Sequence, residues 1–159
     1  MKKSLKISLI VISIIIVLVI IGIVWWKDNN KVIEKPSDKV IEIAKSIKGE
    51  DYDVGLYAYS IQRDADKIVT TYYSIGEAPR VIVTHYIENG IVTKIYREVH
   101  YQTKLLAKWH YFDDYMEVKD KKVEGNVLTG WIEAFGKGQT ADEVYNSLTS
   151  DTNLVRIYE

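Results

Sequence analysis

The chain contains no cysteine, two prolines and three histidines in 159 residues. Without cysteine it has no disulfide, no thiolate nucleophile, no cysteine-held zinc and no thiol for lipid attachment. The G-x-S-x-G elbow, the phosphate-binding glycine loop, H-E-x-x-H and the EF-hand calcium loop are missing too. Strong basic charge is also absent. Setting aside the first 27 residues removes four lysines and no acid, which leaves 17 basic against 22 acidic residues, a net charge of −5. That balance is a poor match to nucleic acid and also to anionic lipid headgroups. Charge of this size mainly keeps a domain soluble.

What the chain does have is an uncharged run of 20 residues, Ile7 to Trp26, interrupted only by Ser8, Ser13 and Gly22. At about 1.5 Å per residue, a helix of that length spans roughly 30 Å, the thickness of a bilayer's hydrocarbon core. Lys2, Lys3 and Lys6 precede it, and Trp25, Trp26 and Lys27 close it. Positive charge before the span keeps the N-terminus cytoplasmic, and tryptophans suit the headgroup region. A cleaved signal peptide would have a shorter apolar core and a small-x-small site. Here the only small residue near the end is Gly22, with Ile20 two places before it. The expected organisation is therefore a cytoplasmic basic segment at 1–6, a transmembrane anchor at 7–26, a stalk at 27–36 and an extracytoplasmic domain at 37–159. Seventeen lysines against four arginines, abundant isoleucine and no cysteine fit a low-GC Gram-positive bacterium by composition.

About 120 residues suffice for one hydrophobic core. Ser37 offers a helix N-cap, Val40, Ile43, Ala44 and Ile47 follow at helical spacing, and Gly49 is a stop, so a helix is expected over 38–48. Residues 52–61 and 67–75 read as strands around a polar turn at Arg63 to Asp66. Asn89-Gly90 lies between two β-rich runs, 79–88 and 91–101, and predicts a two-residue type I′ hairpin. An uninterrupted register would set Glu88 opposite Ile91, His85 opposite Lys94, Val83 opposite Tyr96 and Pro79 opposite His100. Neither face of that hairpin is wholly apolar.

Leu105, Leu106, Trp109 and Phe112, with Met116 beyond, recur at helical spacing, although no clear cap marks the segment and 102–118 could also be strand. Lys119 to Lys122 reads as a charged turn and 123–135 as a short hairpin. Thr140 and Glu143 form a capping box, with Ala141, Val144, Tyr145 and Leu148 on one helical face behind it. Residues 153–158 suit an edge strand. The fold class expected is α+β: a single N-terminal transmembrane helix, then a mainly antiparallel sheet packed by two or three helices. In layout, a tether followed by an antiparallel sheet resembles cystatin-like and NTF2-like envelope domains, a likeness that no motif accompanies.

Twelve tyrosines, all outside the apolar run, fit a sheet built on half-buried rings, or an aromatic surface for a peptide or glycan. Gly136-Lys137-Gly138 before a helix reads as a connection. The one cluster with potential chemistry is His110 with Asp113 and Asp114, which spacings of three and four place on one helical surface. Imidazole with two carboxylates could hold a metal or form an acid/base pair, though such a triplet is more often a solvated polar face. No catalytic residue, cofactor or metal site is assigned. The expected function is an anchored, non-enzymatic binding or accessory protein. It would engage a protein partner in the envelope, such as a secretion or conjugation component, or act as an immunity or exclusion factor. The alternative is an envelope hydrolase or a metal- or ligand-binding domain using His110 and nearby carboxylates.

Overall fold

The computed structural model describes residues 2–29, 37–48, 55–75, 77–112, 118–133, 136–150 and 154–158. The chain divides into two units, Met1–Lys31 and Val32–Glu159. The first holds helix α1, Lys2–Asn29. Its stretch Val11–Asp28 is 18 residues long and apolar enough to cross a membrane, and none of it is buried inside the protein. A signal sequence meets the same criterion of length and composition.

The second unit is α+β. Its elements in chain order are α2 (Asp38–Lys48), β1 (Gly55–Arg63), β2 (Lys67–Ile75), β3 (Arg80–Glu88), β4 (Ile91–His100), α3 (Lys104–Phe112), β5 (Val118–Glu124), β6 (Val127–Ile132), α4 (Ala141–Thr149) and β7 (Val155–Ile157). One seven-stranded sheet runs in the order β5-β6-β4-β3-β2-β1-β7, antiparallel except where β7 joins β1 in parallel.

Helices cover both faces. On one, α4 brings Ala141 and Val144 onto Ile68, Val92 and Ile95, while α3 brings Ala107 onto Val81, Val99, Tyr101 and Leu128. On the other, Val40 and Ile41 of α2 pack on Ala58, Tyr73, Val155 and Ile157. The α2 boundaries are those the sequence predicts, and the Ser37 carbonyl accepts the first bonds, from Val40 and Ile41. The inward stripe differs: Ile41 packs, whereas Ile43 is exposed. The capping box of α4 is present, with Thr140 accepting from the Glu143 backbone N–H and the Glu143 carboxylate accepting from the Thr140 N–H. Those bonds hold the Glu143 carboxyl below its ordinary range.

The Asn-Gly turn forms as expected, with φ of 54° at Asn89 and 78° at Gly90, as a type I′ turn requires. The register beyond it does not. Glu88 and Ile87 pair with Ile91 and Val92, but Tyr86 then pairs with Lys94, so Thr93 is the extra residue of a β-bulge. From there His85 faces Ile95, Val83 faces Arg97 and Arg80 faces His100. A one-residue slip exchanges the faces of a strand. It collects Val92, Ile95 and Val99 on the core side, giving the apolar face that the uninterrupted register lacks. It also sets His85 and His100 on opposite faces rather than on one.

A segment distant in sequence meets β4 beside the bulge. Residues 138–140 run beside the start of β4: Val92 N–H donates to the Gln139 carbonyl, Gly138 N–H to the Val92 carbonyl, and Thr140 bridges Ile91. Lys119 to Lys122 is likewise not a turn. It lies within β5, an edge strand whose pairing shifts between Lys119 and Lys122, with Asp120 at φ 53°. Charge and a bulge are both ordinary protections for an exposed edge. The hairpin expected over 123–135 is β5-β6, turning at Gly125-Asn126, with Gly130 inside β6.

Candidate functional site

Four strands, β3, β4, β5 and β6, and the inner side of α3 line a cavity of about 280 Å³. Val81, Val99 and Leu128 supply apolar walls, and Glu77, Arg97, His110 and Lys121 supply the polar ones. Its roof is fixed by a cap that the sequence analysis missed: the Leu106 N–H donates to Thr103 Oγ1 at 3.1 Å, and the Ala107 N–H to the Thr103 carbonyl. Thr103 is thus the N-cap of α3, without a glutamate three residues on to advertise it. Ala107 is fully buried, and this small residue lets the helix approach the sheet closely.

That rotation turns His110 inward. Its ring stacks on Tyr101 with centroids 4.7 Å apart and planes 12° apart. Its Nε2 lies 3.0 Å from Glu77 Oε2. Glu77 is held there because the Gln102 N–H donates to the Glu77 carbonyl. The carboxylate beside His110 therefore comes from the β2–β3 connection, 33 residues away in sequence. Asp113 and Asp114 lie outside the described residues. Among the described residues, no group of three or more His, Cys, Asp or Glu side chains could hold a metal ion.

Arg97 enters the cavity from β4, and burial holds its guanidinium below the ordinary arginine range; the Tyr101 phenol acts weakly in the opposite sense. Arginine stays charged at any physiological pH regardless. A cationic group in low-dielectric surroundings favours an anionic neighbour. The arrangement suits a small, mostly apolar molecule carrying a carboxylate or similar group. A His–Glu pair can hold or pass a proton, but the side chains lining the cavity offer no hydroxyl or thiol nucleophile apart from the Tyr101 phenol.

The other two histidines sit elsewhere. His85 is buried in the core beside Ile68 and Ile95. His100 lies on the opposite face, where Arg80 Nη2 is 3.2 Å from its Nδ1. A guanidinium can only donate, so Nδ1 is the acceptor and the proton sits on Nε2. Burial, and secondly the Arg80 charge, push the His100 pKa down. Glu98 is 3.8 Å from Nε2, too far for a hydrogen bond, and does not reverse this. A histidine with a depressed folded pKa contributes fully above its unfolded value of about 6.5, and that contribution is lost as pH falls below it. His100→Gln should therefore flatten the acid side of the stability curve, and urea melts across that range would check it.

The sheet face opposite α3 and α4 carries an aromatic group that the tyrosine count foreshadows. Trp131 of β6 lies 5.0 Å from Tyr96 and 5.8 Å from Tyr86, centroid to centroid. Tyr86 is exposed, and Tyr96 and Trp131 are half-buried. Lys94 and Glu133, the latter bound to Lys119 and Lys137, border them. Comparison of the chain with known protein families, with curated proteins and with solved structures found no match.

Proposed function

We propose that the chain is a membrane-anchored extracytoplasmic binding protein without catalytic activity, engaging another protein of the cell envelope. It would serve as an accessory subunit of a secretion or conjugation machine, or as an immunity or exclusion factor. The observation that carries this reading is α1. An apolar helix with no residue of its 18-residue window buried inside the protein is long and apolar enough to span a bilayer. The absence of a small-x-small site and the tryptophans at its end favour an anchor over a cleaved signal, and Lys2, Lys3 and Lys6 favour the domain lying outside. The partner surface in this reading is the Tyr86, Tyr96 and Trp131 face, since aromatic rings with a polar border are typical of interface anchors.

Crosslinking in living cells, with an affinity tag after Glu159, tests it. A reproducible captured protein, lost with Trp131→Ala, is the expected result. Capture unchanged by Trp131→Ala would move the contact elsewhere, and capture of nothing above background would count against a protein partner. A second reading, a small anionic ligand in the cavity under α3, is favoured by the half-buried Arg97, which lines that cavity with His110 and Glu77. It predicts a ligand-induced rise in melting temperature that Arg97→Gln abolishes.

A further inference from the structure

The outer side of α3 is unusual for a soluble surface. Leu105, Trp109 and Phe112 follow one another at spacings of four and three, so they form a single stripe. They are 55%, 70% and 82% exposed. Of the residues that recur at helical spacing, Leu106 turns inward with Ala107 and His110, and the stripe does not. Beside the stripe a groove runs between α3 and β5. Among the described residues, Lys108, Lys121 and Lys122 line it together with Tyr111, Phe112, Val123 and the carboxylate of Glu124.

We propose that this surface lies on a bilayer with acidic headgroups. Leu105, Trp109 and Phe112 would enter the interface, and Lys108 and Lys122 would face lipid phosphates, while Lys121 donates to the Tyr111 carbonyl. Three large apolar side chains next to a basic flank are what an interfacial helix presents, and tryptophan favours the headgroup level. The net charge of −5 over residues 28–159 weighs against long-range attraction to such a surface. Screening limits each charge to about 8 Å at physiological ionic strength, so the local lysine cluster governs what the stripe meets. The proposal rests on α1 being a membrane anchor, because tethering supplies the effective concentration at which a weak interfacial contact is occupied. It does not depend on which side of the membrane the domain occupies.

The chain has no cysteine, so single thiols can be placed at will. The full chain would be reconstituted in vesicles of phosphatidylcholine, with or without phosphatidylglycerol, and would carry an environment-sensitive NBD label at Trp109→Cys or Phe112→Cys. Glu88→Cys, at the exposed hairpin tip, is the control. The expected result is a blue shift at 109 and 112 in the acidic vesicles, none at 88, and its loss in a Lys108→Glu, Lys122→Glu background. Water-like emission at both stripe positions would overturn the proposal. A blue shift that follows protein density and ignores lipid charge would overturn it too, since a second copy would then cover the stripe. Release of the chain from the vesicles by carbonate would defeat the anchor itself, a failure distinct from a dark stripe on a retained chain.

Discussion

Ile95→Ala should lower the stability of the α+β unit by about 3 kcal/mol, a drop in melting temperature of roughly 10–15 °C. Ile95 is 1% exposed and sits among Ile68, Val92, Ala141 and Val144, where α4 meets the sheet. Removing its outer carbons leaves a cavity that neighbours on three different elements cannot fill without shifting together. The experiment also tests the bulge at Thr93. In an uninterrupted hairpin Ile95 would oppose Thr84 on the face of Ile82 and Tyr86, away from α4. Truncation there would cost well under half as much. Thermal melts of the full chain in detergent, followed by near-UV circular dichroism, would separate the two.

Gly130→Ala should cost about 2–3 kcal/mol, although alanine is ordinarily a better strand residue than glycine. A Cβ at Gly130 would collide with Val118 Cγ1 and come within 2.8 Å of the Lys119 carbonyl oxygen. The Val118 side chain could turn aside, but the Lys119 carbonyl is backbone and can yield only if β5 moves off β6. Hydrogen exchange should then accelerate selectively over Val118–Glu124, with β1, β2 and β3 unchanged. Uniform acceleration over the whole sheet would mean that β5 does not give way locally. Because Val118 and Lys121 line the cavity under α3, the substitution should loosen that wall as well.

The parts of this fold that are legible in the sequence are those written by neighbours along the chain. Thr140 and Glu143 announce α4 because both halves of its cap lie within four residues. Asn89-Gly90 announces the hairpin because its positive φ angles need those residue types. The Thr93 bulge has no such mark. Threonine is an ordinary strand residue, and the segment that lies against the start of β4, residues 138–140, is distant in sequence.

The same limit applied at α3. Periodicity identified Leu105, Trp109 and Phe112 as a stripe but could not say which way it points. The rotation is set by Thr103, by the small Ala107 and by the stacking of His110 on Tyr101, two of which are contacts across elements. The pattern groups His110 with Asp113 and Asp114, which lie outside the described residues. The described partner of His110, Glu77, was invisible because 33 residues separate them.

In the proposed function, α1 anchors the chain and leaves the α+β unit outside the cytoplasm. Labelling of Glu88→Cys with a membrane-impermeant maleimide in intact cells tests it most directly, because that thiol would be the only one in the chain. The account predicts labelling before lysis and retention of the labelled chain in carbonate-washed membranes. Labelling only after lysis would put the domain on the cytoplasmic side, and labelled chain in the soluble fraction would show that α1 is not an anchor.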